Sequence, residues 1–488
     1  MAHAFLGIAG IAPESLTLIA KEGEFEAALP CQLFDAPFAT VPTSYSAFGR
    51  LADAEEDPRT TALLALAHAF VNPVPSTTPS TACLPAIYTY FGQFIAHEVG
   101  RLSGSTDGKV INLNTASFDL DTMFFPAGKF PSEILTAAPL CVPFGLAALG
   151  NTSPGTTADL SDLPRAVTGE PVVPDRRNDS NPQLAQLHVA ILKKYRALLE
   201  TSSDAQMELT RLLHSITIHD YLRQVIDDCV YNDVLHSGRR LVHAHKDAKN
   251  YFLTPIEFAA GAHRFGHTMV RDAYRWRRAA PPPDAALEQL MRQTYAGEGL
   301  TFDAGLGPGE SIRRIASRWT MEKTDMVRYP GAEEPNLANG IGPALASPLQ
   351  TLSGKYVQNA DPLSEVNLAE KTLMRGQEVM LPCAQSLWAL IEPVCGRFLT
   401  PEEISGSVGS TFFDALTMKN VDAPTLVERT PLWFYVLREA EVLQGGHKLG
   451  PLGGRIVMET IHASIEATGC SPSGLQPATL ADLFTETT

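Results

Sequence analysis

Apolar residues recur at helical spacing through much of this chain, and this pattern constrains its fold more than any other feature. Asn181 and Pro182 supply a capping residue and a residue suited to the first helical position. The apolar residues between Leu184 and Leu192 then recur at i, i+3, i+4 and i+7, which predicts a long helix. Segments with the alternation typical of strands are scarce. We therefore expect a mainly α protein with few short strands.

Further helices are predicted from the same spacing and from their start and stop signals. Thr254 and Glu257 form a capping-box pattern with Pro at the first helical position, which predicts a helix through about Arg271. Gly445 and the glycine after it are expected to end another helix. The other predicted helices lie near residues 60–70, 205–230, 367–380 and 430–443.

The length of 488 residues allows about three ordinary domains or one large domain. The 36 Gly and 36 Pro exceed their usual share and predict many irregular connections, such as the run from Gly331 to Pro348. Predicted helices lie on both sides of these runs. We therefore expect one helical domain over residues 86–470, with an irregular wrap over residues 1–85 and a tail over residues 471–488.

The net charge of −16 limits the partners that such a chain can bind. Negative charge repels phosphate backbones and anionic lipids, so nucleic acid and membrane surfaces are poor partners. No stretch is long and apolar enough for a transmembrane segment, and the amino terminus lacks the basic residues of a secretory signal. We expect a soluble protein, cytoplasmic rather than secreted. The seven cysteines form no CxxC pair, which favours reduced, buried thiols.

The segment Tyr90–Glu98, with the sequence YFGQFIAHE, carries the first candidate site. On a helix, Gln93 and His97 are one turn apart, so their side chains emerge on the same face beside Gly92. Taken alone, a histidine on an apolar helix is more often structural than catalytic.

A second histidine pair lies in the segment Glu257–Arg271, where His263 and His267 are again one turn apart. An HxxxH pair can bind zinc, but the glutamate of the zinc-protease motif is absent. A single imidazole could instead bind a haem iron, and Gly266 would leave room for a flat macrocycle.

Together these segments resemble the animal-type haem peroxidases, the peroxidase–cyclooxygenase superfamily. YFGQFIAHE resembles the distal-histidine helix of that family, and HRFGH resembles its proximal-histidine motif. The segment Asp175–His188 is similar to its catalytic-arginine segment. Residues 373–376 and 431–455 are similar to bacterial members, so the resemblance covers about residues 85–465. It implies a single large helical domain with haem between the distal and proximal histidine helices.

The resemblance implies a role for each of four residues. His97 matches the distal base that moves a proton between the two oxygens of hydrogen peroxide, and Gln93 is its neighbour over the haem. Arg177 matches the catalytic arginine that stabilises charge on the departing oxygen. His267 matches the axial ligand of the haem iron. The other histidines, including His188, are expected to be structural or surface residues.

Several positions depart from the family pattern. Ala96 and Ser180 occupy the positions at which mammalian members form ester bonds to haem, so noncovalent haem b is expected. Arg264 replaces the radical-forming tyrosine of cyclooxygenases, which disfavours fatty-acid oxygenation. Thr372 stands where many relatives have an asparagine that bonds the proximal histidine, and Arg375 matches an arginine that contacts a haem propionate.

The family also has a calcium site beside the distal histidine. Here Glu98 takes the place of the usual aspartate. The loop that follows would supply oxygen ligands at alternate positions, the kind that Ca²⁺ prefers: Thr115, the Ser117 carbonyl, Asp119 and Asp121. Without the resemblance, such an acidic loop would more often be solvated surface.

The resemblance therefore implies a haem-dependent peroxidase with hydrogen peroxide as one substrate. Such an enzyme oxidises a small organic or halide donor through a ferryl intermediate. Two alternatives stay open: a haem-dependent fatty-acid dioxygenase, and a noncatalytic haem-binding relative. The sequence does not identify the donor.

Overall fold

The computed structural model describes most of the chain between Arg50 and Thr485. The described residues are 50–53, 55–57, 59–70, 84–102, 112, 114–124, 162–163, 171, 173–242, 252–276, 284–297, 301–303, 312–314, 320–328, 330–357, 360–391, 395–406 and 423–485.

Helices dominate the described residues, as predicted. The α-helices are α1 (Thr60–His68), α2 (Ile87–Val99), α3 (Pro182–Thr201), α4 (Ala205–Ser215), α5 (Arg223–Val225), α6 (Asp228–Ser237), α7 (Leu287–Met291), α8 (Lys323–Met326), α9 (Leu368–Glu378), α10 (Ala384–Trp388), α11 (Pro401–Ser405), α12 (Ala423–Glu428), α13 (Leu432–Gln444) and α14 (Pro451–Glu466). Shorter 3-10 turns cover Arg176–Asp179, Ala262–Met269, Ser347–Leu349, Gly354–Tyr356, Pro472–Gly474 and Leu480–Phe484, and π-helical turns cover Ile216–Leu222 and Glu257–Gly261.

The described strands are short, with two or three residues each. They form three antiparallel pairs: β1 (Ala273–Arg275) with β2 (Asp284–Ala286), β3 (Thr301–Asp303) with β4 (Ile312–Arg314), and β5 (Leu352–Ser353) with β6 (Glu365–Val366). The protein is therefore mainly α. Where the structure describes the chain, no helix has the length and apolar character needed to cross a bilayer.

The start and stop signals in the sequence correctly locate several helix ends. The Asn181 side chain accepts a hydrogen bond from the Leu184 amide at 2.8 Å, as a capping residue does. Asn367 caps α9 in the same way. α13 ends at Gly445, whose φ of 59° lies in the left-handed region that favours glycine.

The prediction of one α-helix from Thr254 to Arg271 is wrong. The Thr254 hydroxyl donates to the Val99 carbonyl at 2.6 Å, and the Glu257 carboxylate accepts from the amide of Leu51, so neither side chain caps a helix. The segment instead forms the π-helical turn Glu257–Gly261 followed by the 3-10 turn Ala262–Met269. Hydrogen bonds to residues remote in the sequence have thus replaced the local capping bonds expected for Thr254 and Glu257.

The long helix predicted over residues 205–230 is also interrupted. α4 runs into a π-helical turn and the single turn α5, and the chain then becomes extended at Ile226. Asp227 caps α6 through the amides of Cys229 and Val230. Asp227 is therefore a second helix start signal within the apolar pattern, and it divides the predicted helix in two.

One hydrophobic core joins the helices that carry the candidate site residues. α2 packs against α3 and against the 3-10 turn Ala262–Met269, which also contacts α13 and α14. α1 packs against α9. The distal and proximal segments of the sequence prediction are therefore neighbours in one core.

Both ends of the described chain pack on this core. At the amino-terminal end, the amide of Leu51 bonds Glu257, and α1 carries the buried Leu66. At the carboxyl-terminal end, the Leu480 amide donates to Asp220 at 2.8 Å. Residues 1–49, most of the predicted wrap, lie outside the described residues. The division at residues 85 and 470 stays a prediction.

The expectation of mostly reduced thiols left open whether any cysteines pair, and the structure shows one such pair. Cys229, at the exposed start of α6, forms a disulfide with the buried Cys395, with a Cα–Cα distance of 5.8 Å. Because 166 residues separate the two in sequence, no local spacing indicates the pair. Cys383 and Cys470 are unpaired. The other three cysteines, Cys31, Cys83 and Cys141, lie outside the described residues.

Replacing the exposed partner by Cys229→Ser is expected to lower the free energy of unfolding by about 2–4 kcal/mol. The bond closes a 166-residue loop in the unfolded chain and so reduces its conformational entropy. Denaturant unfolding measures the change, with Cys470→Ser as the matched control at an unpaired thiol. Equal unfolding midpoints for both variants and the unmodified protein would contradict the expectation.

Candidate active site

A cavity of about 370 Å³ lies between α2, α9 and the 3-10 turn Ala262–Met269. Most of the residues predicted to surround the haem line it. They are Gln93, Ala96, His97, Arg177, Ser180, His267 and Arg375. Thr372, also predicted, lies behind the wall beside His267. The structure thus brings together residues from four separate parts of the sequence.

His97 is a buried base at the cavity wall. Its Nδ1 lies 2.8 Å from Oδ1 of Asn178, while Nε2 has no hydrogen-bond partner among the described residues. Burial, followed by the nearby charge of Arg177, lowers the pKa of His97 to about 3. The imidazole is therefore neutral at physiological pH and can accept a proton.

Gln93 belongs to a small amide and hydroxyl network on the same wall. Its Nε2 donates to the hydroxyl of Ser180 at 3.0 Å, and its Oε1 accepts from the Asn181 amide at 3.0 Å. Asn181 is also the cap of α3, so the start of that helix fixes Gln93. Ser180 serves here as a hydrogen-bonding group.

Arg177 is tied to groups beside the cavity. Its Nε and Nη2 donate to the carboxylate of Asp175, and the guanidinium also donates to the carbonyls of His97 and Gly100 at 3.0 Å each. These bonds use four of the five N–H groups that an arginine offers. Among the described residues, one N–H of Nη1 is left to meet a ligand.

Asp175 remains charged in spite of its burial. Burial acts to raise its pKa, but the charges of Arg177 and Arg101 outweigh this effect and hold the pKa well below the ordinary value. Asp175 also accepts a hydrogen bond from the Arg177 amide at 3.0 Å. A buried ion pair therefore anchors the turn Arg176–Asp179.

His267 forms the proximal side of the cavity. Its Nδ1 lies 3.4 Å from the Thr372 hydroxyl, which itself donates to the Leu368 carbonyl at 2.7 Å. The hydroxyl can therefore accept the imidazole N–H only through a long, weak hydrogen bond. Burial, together with the charge of Arg264, lowers the pKa of His267 to about 3. The neutral ring leaves Nε2 available to a metal ion.

His263, the first histidine of the HxxxH pair, has a structural role. Its Nε2 donates to the Gly92 carbonyl at 2.9 Å, and its ring stacks on Phe258 with centroids 4.5 Å apart. This bond joins the proximal turn to α2. The structure therefore does not support zinc binding by the His263 and His267 pair, because His263 bonds a backbone carbonyl instead.

Besides Arg177, the cavity is lined by three cationic side chains, those of Arg264, Lys371 and Arg375. The resemblance implies a contact with the haem propionates for Arg375 alone. Burial lowers the pKa of Arg264 to about 10, with a further contribution from Arg375. Burial also lowers the pKa of Lys371, and the two arginines add to this effect. The sequence could have indicated Lys371 as well, because Lys371 and Arg375 are one turn apart on α9 and so lie on the same face of that helix.

Gly266 leaves open space at the proximal wall. A Cβ atom at this position would meet no other atom within 4 Å, and Gly266 lines the cavity. A Cβ at Gly92, by contrast, would meet the Tyr221 hydroxyl at 2.3 Å. The open space at the cavity wall is thus at Gly266, while Gly92 allows close packing of α2.

The residues of the predicted calcium site converge behind the distal histidine. Carboxylate oxygens of Glu98, Asp119 and Asp121 lie within 4.8 Å of one another. Thr115 joins the loop, since its hydroxyl donates to Asp119 at 2.9 Å and its amide donates to Asp121 at 2.8 Å. The Ser117 carbonyl accepts from the Thr115 hydroxyl at 3.3 Å.

This acidic cluster has the properties of a cation site. Burial raises the pKa of Glu98 and Asp121 well above the ordinary value, and it raises that of Asp119 to about 6. Glu98 Oε2 and Asp121 Oδ1 are buried without a hydrogen-bond partner. Leu120, in the same loop, has a φ of 65°, a conformation that a leucine rarely adopts. Hard oxygen atoms of this kind suit Ca²⁺.

The fold matches those of solved structures, although no protein-family model and no curated protein matches the sequence. Peroxidase A from Dictyostelium discoideum is 16% identical, with a TM-score of 0.59 over 90% of this chain and 92% of that chain. The fatty acid alpha-dioxygenase of Oryza sativa is 12% identical, with a TM-score of 0.54 over 95% and 88%. That of Arabidopsis thaliana is 11% identical, with a TM-score of 0.56 over 90% and 77%. The chain therefore has the fold of the peroxidase–cyclooxygenase superfamily, to which these enzymes belong.

Proposed function

We propose that this protein is a haem peroxidase that reduces hydrogen peroxide and oxidises a small organic or halide donor. The observation that carries the proposal is the single cavity lined by His97 and His267. His97 offers an unbonded Nε2, and His267 is a neutral imidazole on the proximal side. The similarity in fold to a peroxidase supports the proposal.

The chemistry of the cavity wall fits a haem group. His267 would bind the iron, and the open space at Gly266 would accept the flat ring. Haem carries two propionate carboxylates, and the cations Arg264, Lys371 and Arg375 would pair with them. Ala96 and Ser180 offer no carboxylate for an ester bond, so the group would be held noncovalently. When bound, haem supplies the redox chemistry, and the protein supplies proton transfer and charge.

His97 would move the proton that peroxide cleavage requires. Its Nε2 would accept a proton from one peroxide oxygen and return it to the other, so that the departing oxygen leaves as water. Gln93 would orient the peroxide or an ordered water near this atom, because its amide is fixed by Ser180 and Asn181. The buried, neutral base is suited to both steps.

Arg177 would act on the same bond through its charge. Its guanidinium is fixed at the cavity wall by Asp175 and by the carbonyls of His97 and Gly100. A fixed cation needs no reorganisation when negative charge develops on the departing oxygen. The remaining N–H of Nη1 is the group that would contact this oxygen.

We also propose that Glu98, Asp119 and Asp121 bind Ca²⁺, with Thr115 and the Ser117 carbonyl as further ligands. The cation would offset the repulsion among three buried carboxylates and occupy the two oxygens without hydrogen-bond partners. Glu98 follows His97 directly in sequence, one residue before the helix ends at Val99. The ion would therefore stabilise the end of α2.

The fatty-acid dioxygenase alternative has support from the matched alpha-dioxygenase folds. It is disfavoured by Arg264, which stands where the resemblance places a radical-forming tyrosine in cyclooxygenases. Peroxide-dependent donor oxidation and fatty-acid-dependent oxygen uptake, measured on the haem-loaded protein, separate the two. Normal haem binding with neither activity would identify the noncatalytic alternative.

The compartment in which the protein works is a further part of the proposal. The sequence favoured the cytoplasm, but the Cys229–Cys395 disulfide is typical of an oxidising compartment. We therefore infer that the protein works where disulfides persist.

Substitution of His267 and substitution of His97 are expected to have different effects, the first on haem binding and the second on the reaction with peroxide. His267→Ala should abolish the Soret absorption of bound haem, because the iron loses its protein ligand. His97→Ala should retain haem and slow the reaction with peroxide about 10²- to 10⁴-fold, because the proton shuttle is lost. Absorbance and stopped-flow measurements read the two effects. The assignments are wrong if haem binding survives the first substitution or if the second leaves the rate unchanged.

Filling the open space at Gly266 should block the cofactor without unfolding the protein. Gly266→Val is expected to weaken haem binding at least about tenfold, since its side chain extends into the cavity. Haem titration followed by absorbance gives the affinity. Gly474→Val is the matched control, because that glycine also meets no atom within 4 Å and lies far along the chain outside the cavity wall. Equal affinities for the two variants would argue against haem in this cavity.

Calcium should stabilise the protein through the acidic cluster. Chelation is expected to lower the melting temperature, and Asp121→Asn should reduce that dependence, because it removes one anionic ligand. Thermal unfolding with added Ca²⁺ or a chelator measures both. Asp204→Asn, at an exposed position outside the cluster, is the control. A melting temperature independent of Ca²⁺ in the unmodified protein would rule out the site.

A further inference from the structure

Asn178 lies between two buried imidazoles, and nothing in the sequence prediction gave it a role. Its Oδ1 is 2.8 Å from Nδ1 of His97, and its Nδ2 is 3.1 Å from Nδ1 of His188. All three side chains are buried, with Asn178 and His188 fully so. We propose that Asn178 is a positioning residue that holds His97 in the tautomer protonated on Nδ1. The proposal rests on the function of His97 as a base.

The chemistry of the amide determines the protonation of both rings. A carbonyl oxygen only accepts hydrogen bonds, so His97 must donate to Asn178 from Nδ1. An amide nitrogen only donates, so His188 must accept at Nδ1. A neutral imidazole carries one N–H. Nε2 of His97 is then without a proton and faces no protein partner among the described residues, which is the state that a base requires.

The backbone around Asn178 holds the amide in place. Asn178 belongs to the 3-10 turn Arg176–Asp179, whose first residue follows the buried Asp175. The backbone N–H of Asn178 donates to the backbone carbonyl of Asp175 at 3.1 Å. The carboxylate of the next residue, Asp179, accepts from the backbone N–H of Tyr295 at 3.0 Å. Bonds on both sides of the residue therefore restrict its movement.

His188 is the partner of the Asn178 side-chain nitrogen, and its own Nε2 is buried without a hydrogen-bond partner among the described residues. It lies on α3, fully buried, with its ring edge against Phe94. If the amide were rotated by half a turn, His97 would accept at Nδ1 and carry its proton on Nε2, where it could not act as a base. The two imidazoles and the Asn178 amide thus have two hydrogen-bonding arrangements. In one, Nε2 of His97 is free to accept a proton, and in the other it already carries one.

Loss of a positioning residue at 178 would change the tautomer of His97, whereas loss of a packing residue would only leave a space. An apolar side chain of similar size would fill the space but leave Nδ1 of His97 without an acceptor. The ring would then adopt either tautomer, and its proton could reside on Nε2. An aspartate would still accept from Nδ1 of His97. Outer partners of this kind alter activity by about 10- to 100-fold when they are removed.

Nitrogen NMR of histidine-labelled protein reads the tautomer directly. The protein is loaded with zinc protoporphyrin, a diamagnetic substitute for haem, and the His97 signals are assigned by their loss in His97→Gln. We expect the unmodified protein to carry its proton on Nδ1 and Asn178→Leu to carry a substantial fraction on Nε2. Asn178→Asp should restore the Nδ1 proton. Asn339→Leu, which removes an amide bond to the Val270 carbonyl, is the control and should leave the tautomer unchanged.

Stopped-flow reaction of the haem-loaded variants with peroxide completes the experiment. Asn178→Leu should bind haem normally and react about 10- to 100-fold more slowly, and Asn178→Asp should recover most of the rate. An Nε2 proton in the unmodified protein, or an unchanged tautomer in Asn178→Leu, would overturn the proposal. If Asn178→Leu does not fold, His188→Phe gives the same spectroscopic test from the other side of the amide. A protein that shows the expected tautomer but no reaction with peroxide would refute the proposed function alone.

Discussion

The buried ion pair between Asp175 and Arg177 supports the distal half of the candidate site. Their side chains are 2% and 22% exposed and lie 2.5 Å apart. The same guanidinium bonds the carbonyls of His97 and Gly100, which fixes the end of α2 to the turn that carries Asn178. Removal of Arg177 would leave the buried Asp175 carboxylate with Arg101 as its nearby cation, and we expect this loss to destabilise the turn. The orientation of His97 therefore depends on an ion pair, one member of which, Arg177, also lines the cavity.

The pair also lies near the acidic cluster, since the charge of Asp175 contributes to the raised pKa of Glu98 and of Asp121. His97 and Glu98 are successive residues, yet one lines the cavity and the other joins Asp119 and Asp121. The Asn114 amide bonds the carbonyl of His97 and lies 3.4 Å from the Asp175 carboxylate. A cation held by the cluster would thus act on the same helix end as the ion pair. Both sites are therefore attached to the same end of α2.

Local signals predicted the helices, and remote contacts account for the errors. The caps at Asn181 and Asn367 form because their partners lie within three residues in sequence. The predicted cap at Thr254 fails because Val99, 155 residues away, takes its hydroxyl. The resemblance singled out His97 and His267 because their motifs are contiguous, and both residues line one cavity. Single residues such as Asn178 carry no motif, and only the folded chain shows what they contact.

The hydrogen bond from His263 to the Gly92 carbonyl bears on the spacing of the two cavity walls. It joins the proximal turn directly to α2. One wall therefore cannot move far from the other unless this bond breaks. The histidine that the HxxxH spacing offers as a metal ligand thus helps to set the width of the cavity.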